Sequence, residues 1–417
     1  MIKTIFTFLI LIYSFQSTQA QTIKNGVLIA GDTPAGFAAA IQSARSGAKT
    51  QLLIEGAAFK SIYEETQLTE LWKIKNHFIN KIKKEPNSKD SIPPTEISPE
   101  AVNALVKSIA DTTKNLTVIY NYKISKLELK GKNWDIRLSS GTRLKPDVVV
   151  DATEKHLIAS LLRTQASRTV TPLEIKTELF DTKVFRSGIA RGVGIRESGK
   201  SWTVIPTGSF IHATLENFVI IPKSTKTLMV NEMWAGQAAG IIAAYCAFFQ
   251  TSTKEINIRI AQGELLAFGA KLVPLSDVPD HDPNSSAIQR VVLSGLITPF
   301  ETNTEGISDF KLDTAASIST REIQAPIQAL NSRSQIWFAD HQKDTMLIED
   351  AISLFKFTAH RGDELVTEIE ESWVESFRFN TKFDLKKVIT RKEFAVLADR
   401  YVKPFNVRVD FQGNLKS

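Results

Sequence analysis

The 417 residues are 43% hydrophobic and 23% charged, enough to bury a sizeable core and, at roughly 100–200 residues per domain, to build two or three domains. The 51 basic and 45 acidic residues leave +6, interspersed, with no basic block or aromatic-basic alternation, which excludes an obvious nucleic-acid-binding surface. Cys246 is the single cysteine, so an internal disulfide and a dithiol redox centre are excluded, and electron chemistry would need a bound cofactor.

Residues 1–20 have one charge, Lys3, then an apolar run over 5–15 and a small polar close ending at Ala20. That layout predicts a secretory signal cleaved after Ala20 and a periplasmic or secreted mature chain. An uncleaved anchor is the alternative, but the run falls short of the ~20 residues that span a bilayer. No later stretch is long and apolar enough to cross a membrane.

Val27-Leu28-Ile29-Ala30 reads as a buried strand, Gly31-Asp32-Thr33-Pro34-Ala35-Gly36 as a turn, and the alanine-rich stretch from Phe37 to Ser46 as a helix closed by Gly47. A second strand over 50–54 ends at Glu55. This strand–turn–helix–strand unit suits a dinucleotide. Gly31 permits the sharp turn, Gly36 lets the helix pack close, and the helix start offers free N–H groups and a positive dipole end to a diphosphate. Glu55 lies 24 positions after Gly31, near the ~20 expected for an acid that binds ribose hydroxyls. The middle glycine of G-x-G-x-x-G is replaced by Thr33, and Asp32 puts a carboxylate beside the expected phosphates. A dinucleotide fold that has lost its ligand is therefore the other reading.

Strands follow at 118–122, around Ile124, Leu127 and Leu129, and at 134–138, where Trp134, Ile136 and Leu138 alternate with polar residues. They form a meander ahead of a parallel strand at 148–150, whose carboxyl end places Ala152 and Thr153 in the crevice where an open α/β sheet binds its ligand. The run 236–249 is an almost wholly apolar helix, read either as a buried core helix or as one whose first turn, Gly236, Gln237 and Ala238, faces a cofactor.

Three segments in this order, Gly31-Asp32-Thr33-Pro34-Ala35-Gly36, Asp151-Ala152-Thr153 and Gly236-Gln237-Ala238-Ala239-Gly240, resemble the G-G-T-P-A-G, D-A-T-G and G-Q-A-A-G motifs of the bacterial FAD-dependent oxidoreductase family. The resemblance spans about residues 25–250 and departs from the family at Asp32 and at Glu154, where a glycine is expected. It implies an α/β, FAD/NAD(P)-binding Rossmann-like domain with a β-meander. It also implies FAD held by Gly31, Thr33, Pro34, Ala35, Gly36, Glu55, Ala152, Thr153, Gly236, Gln237 and Ala238, and a small-molecule substrate met by an inserted region over about 155–235.

In that region Arg191 is a candidate clamp for a substrate carboxylate and His212 a candidate proton exchanger, each with a plain structural reading beside it. The six histidines have no zinc-ligand spacing, so no metal is expected. Cys246, among apolar residues, reads as inert.

The dinucleotide domain is expected over 21–262 and a mainly helical C-terminal domain over 263–417. There Ser319-Thr320-Arg321-Glu322 and Thr390-Arg391-Lys392-Glu393 resemble S-layer-homology-type repeats, a module that implies cell-envelope polysaccharide as a partner. Their local reading is a capping box, Thr capping a helix with Glu three positions on. Two functions remain: an exported FAD-dependent oxidoreductase, or a cofactor-free scaffold that binds within the envelope.

Overall fold

The computed structural model describes residues 22–24, 26–59, 99–173, 180–196, 199–279, 281–304 and 307–416. The expected signal, 1–20, lies outside these residues.

After a short β1 (Thr22–Lys24), the four apolar residues of β2 (Val27–Ala30) are all buried, as a strand covered on both faces must be. Helix α1 (Pro34–Arg45) starts earlier than its alanines suggest. The Thr33 hydroxyl accepts from the Gly36 N–H at 3.1 Å, and Pro34 occupies the first position, where no N–H is needed. Next come β3 (Thr50–Ile54), α2 (Pro99–Thr112) and β4 (Leu116–Tyr120). The strand expected at 118–122 stops at Tyr120 because Asn121 turns to φ 53°. An antiparallel meander of β5 (Ile124–Lys130), β6 (Asn133–Leu138) and β7 (Arg143–Lys145) leads into β8 (Val148–Asp151).

Short helices α3 (Leu157–Leu161) and α4 (Thr182–Ser187) precede β9 (Gly188–Arg196), β10 (Gly199–Pro206), β11 (Phe218–Ile220) and β12 (Leu228–Val230). Helix α5 (Glu232–Phe249) follows. The central sheet is wholly parallel, in the order β11-β8-β2-β3-β4. Alternate residues of its strands fill two cores. Ile29, Leu52 and Val150 pack with α1 and α5 on one face, while Leu28, Leu53 and Val149 pack with Trp134, Ile136 and Leu144 of the meander on the other. The chain is thus α/β, with a Rossmann-like domain carrying a β-meander. The chain path reverses between β2 and β8, and such a reversal opens a crevice at the strands' carboxyl ends.

The remainder is mainly helical: α6 (Ile258–Ala267), α7 (Ser285–Ser294), α8 (Thr320–Leu330), α9 (Ser334–Asp340), α10 (Ile348–Ala359), α11 (Glu364–Glu375) and α12 (Arg391–Tyr401). The boundary expected after residue 262 falls inside α6. A hairpin of β13 (Phe300–Thr304) and β14 (Ile307–Lys311) moreover completes the sheet begun by the inserted region, in the order β12-β9-β10-β14-β13. The two parts share that sheet.

The segments before α8, α10 and α12 form a closed triangle of backbone bonds. Met346 N–H donates to Ile318 O and Ile389 N–H to Met346 O, both at 3.0 Å, and Arg391 N–H donates to Ala316 O at 2.8 Å. At α12 the Thr390–Glu393 capping box is complete, but at α8 the cap is Ser319, one residue before the expected Thr320. Glu322 pairs instead with Arg391, which is 2% exposed and also donates to Leu312 O at 2.7 Å and Thr298 O at 2.9 Å. Arg391→Ala strands a carboxylate and two carbonyls, so an expected loss of about 3–5 kcal/mol should show in urea unfolding. A loss below about 1 kcal/mol would mean that water replaces the guanidinium.

Candidate functional site

At the β2/β8 reversal the turn after β2 and the end of β8 are in contact. Gly31 has φ 140°, and a Cβ there would stand 2.4 Å from Ala152 O and 2.9 Å from Thr153 N. Gly36 faces Gly31 in the same way, its would-be Cβ 2.3 Å from Gly31 O. Thr33 replaces the middle glycine with a clamp, its hydroxyl donating to Ala152 O at 2.8 Å while capping α1. Gly31, Thr33, Pro34, Ala35, Gly36, Ala152 and Thr153 are therefore brought to one place.

Asp151, fully buried, holds the far wall. Its Oδ1 accepts from the Thr153 hydroxyl at 2.6 Å and its Oδ2 from the Ala159 N–H at 2.9 Å. The Thr153 hydroxyl also accepts from the Leu157 N–H at 2.6 Å, so its own proton is already committed. Glu154 is exposed, Asp32 half-buried, and Glu55 exposed just past the end of β3.

The first amides of α1 decide what this crevice can hold. Pro34 has none, Gly36 N–H goes to Thr33 Oγ1, and Phe37 N–H goes to Thr33 O at 3.0 Å. The Ala35 amide belongs to a wholly buried residue and has no partner among the described residues. A buried N–H at a helix start calls for an acceptor, and an anionic oxygen suits it best.

Helix α5 corrects one expectation. Gly236, Gln237 and Ala238 do not open it, because Asn231, five residues before Gly236, caps the helix and accepts from Met233 N–H at 3.0 Å and Trp234 N–H at 3.2 Å. The three lie in the second turn, where amides serve the helix itself. The glycines are packing sites: a Cβ at Gly236 would stand 2.3 Å from Ala35 O, and one at Gly240 2.4 Å from Ala39 O. That matched spacing makes α5 and α1 parallel, and their positive ends sit together beyond the carboxyl edge of the sheet.

Against those dipoles stand three carboxylates. Burial raises the pKa of Tyr122, and Glu55, Asp151 and Asp32 push it further in the same direction. Two residues nearby carried no sequence signal beyond their nearness to a motif or strand end. His156 follows Thr153 by three residues at φ 50°, and its buried Nδ1 is without a partner. Burial holds its imidazole below the ordinary value, with Asp151 opposing and Lys223 adding to the depression. Lys223, just past β11, lies 3.7 Å from Glu232 at the start of α5.

The two catalytic candidates each have structural partners. His212 is buried under Phe218. Its Nδ1 accepts from the N–H groups of Thr214 at 3.2 Å and Leu215 at 3.0 Å, and its Nε2 bonds the Thr164 hydroxyl at 2.8 Å. Both nitrogens are engaged in a neutral ring, so proton exchange would first have to break these bonds. Arg191, on β9, stacks 3.9 Å from the Trp234 ring centre and lines a 20 Å³ cavity with Gln237. Burial pushes the Cys246 thiol up to about 12, away from the thiolate form that a nucleophile needs.

A cavity of about 580 Å³ opens at the other end of the sheet, beside Trp134, Asp147 and Gln250. Among the described residues there is no cluster of three or more metal-ligating side chains, and no helix is long and apolar enough to cross a membrane.

No family model matches the chain, and no curated protein matches it. Among solved structures it is similar to the GidA protein of Aquifex aeolicus, at 17% identity over 30% of this chain and 24% of that one, with a TM-score of 0.23. Thioredoxin reductase of T. acidophilum is 18% identical over 31% and 35% of the two chains, TM-score 0.21. The bacillithiol disulfide reductase Bdr of Staphylococcus aureus is 14% identical over 32% and 38%, TM-score 0.23. The chain spans well under half the length of each of these proteins.

Proposed function

We propose that this chain binds FAD across the β2/β8 crevice and is an exported oxidoreductase that takes a hydride from a small organic substrate. The observation that carries the reading is the buried Ala35 amide at the start of α1, which has no partner among the described residues. Gly31 and Gly36 let the turn, the end of β8 and the start of α1 pack closely beside it, and the paired helix starts favour a diphosphate there. Glu55 would accept from ribose hydroxyls, and Lys223 would offset phosphate charge. FAD supplies the two-electron acceptor. The protein positions the substrate, with Arg191 a candidate for holding its carboxylate.

The second reading is a scaffold without cofactor, favoured by the carboxylates of Asp32, Glu55 and Asp151 gathered around Tyr122. A visible spectrum of the purified chain, with FAD released on denaturation, separates the two. We expect flavin absorbance near one FAD per chain. A colourless protein that takes up no added FAD would leave the scaffold. Sequenced from its N-terminus, exported material should begin at Gln21.

A further inference from the structure

Two buried or half-buried charges with no carboxylate partner among the described residues lie away from the crevice, at the C-terminal end of α7. Arg259 of α6 is 3% exposed, and Arg186 of α4 is half-buried. Both donate to the last carbonyls of α7, Arg186 Nε to Ser294 O at 2.9 Å and Arg259 Nη1 to Leu293 O at 3.3 Å. Gln262 ties them together, accepting from Arg259 Nη1 at 3.0 Å and donating to Arg186 O at 3.0 Å. Arg259 Nε donates to Val407 O at 3.3 Å, with the Phe405 ring centre 4.8 Å from the guanidinium carbon. Gly295, at φ 76°, lets Arg186 lie against the helix end, since a Cβ there would stand 3.0 Å from Arg186 Nη2.

These contacts cap a helix but neutralise neither charge. A helix C-terminus offers about half a negative charge, and here it faces two full positive ones. Among the described residues no carboxylate acts on either guanidinium. Burial and then Arg186 itself bring Arg259 down to about 9. Arg259 Nη2 is buried with no partner. A charged donor left over beneath the surface, beside a like charge, is costly unless something anionic completes it.

We propose that Arg186 and Arg259 form a binding site for a small, doubly charged oxyanion of the phosphate or sulfate type, entering past the exposed side of Arg186. Its oxygens take the spare Arg259 Nη2 and the Nη groups of Arg186, in the fork geometry that guanidinium offers to oxyanions. The site is independent of whether FAD is bound in the crevice.

The test is calorimetric titration of the full chain with inorganic phosphate at constant ionic strength, sodium chloride as reference, with thermal unfolding alongside. Saturable binding and a raised melting temperature are expected. Arg186→Gln should weaken binding about tenfold or more, since charge-assisted hydrogen bonds are lost. It should leave the fold intact, because that side chain is only half-buried and its loss relieves repulsion. Arg259→Met should abolish binding; if that variant does not fold, Arg186→Gln decides alone. Equal binding of glycerol 3-phosphate would support the site and show that it takes the phosphate of a larger molecule, whereas binding of inorganic phosphate alone would support it for the free ion. No response beyond chloride in the native chain, or undiminished binding in Arg186→Gln, overturns the proposal.

Discussion

Gly31→Ala is expected to cost about 4 kcal/mol or more and to empty the crevice of any flavin. Two penalties meet at this residue. Its φ of 140° is one that L side chains rarely adopt, and the added Cβ would lie 2.4 Å from Ala152 O, a backbone atom on a buried strand end that has nowhere to retreat. Gly47 separates the two terms, because it also has a positive φ, 91°, but nothing stands within 4 Å of its would-be Cβ. Gly47→Ala should therefore cost only about 1 kcal/mol, the conformational part. Urea unfolding of both variants, with flavin content of the folded fraction, checks the pair. Equal stabilities would mean that Gly31 is not held against β8 as described.

The contrast bears on what a sequence can disclose. Gly31 and Gly36 were legible because a turn and a helix start are local, and each residue type is dictated within a few positions. The four-residue buried strands and the alternating Trp134, Ile136 and Leu138 were legible for the same reason. The start of α5 was misplaced because glycine and alanine at 236–240 look like an opening motif, whereas the true signal was Asn231 followed by Glu232, a cap and an acidic first turn. Nothing local announces that β14 pairs with β10 or that Arg186 and Arg259 share one helix end, since those contacts join distant parts of the chain. His156 was hidden differently. Its left-handed backbone and orphaned Nδ1 are properties of the folded loop after β8, which no composition or spacing encodes.

The packing role assigned to Gly236 and Gly240 makes a second large prediction. Alanine at either position places a Cβ within 2.3–2.4 Å of a carbonyl of α1, so α5 must move outward. Each substitution should cost about 2–3 kcal/mol, as overpacking of a close contact does. The double variant should cost clearly less than the sum, because one displacement of α5 relieves both clashes and neighbouring sites of this kind are not additive. Urea unfolding of the two single variants and the double closes that cycle, and flavin absorbance followed alongside gives the discriminating result. A packing role requires stability and flavin to fall together, since moving α5 also moves its positive end away from the crevice. If Gly236→Ala released flavin while leaving stability intact, the residue would be a cofactor contact and not a seat for α1. Helix α5 would then have to approach the ligand through its second turn, against the cap that Asn231 places five residues before Gly236.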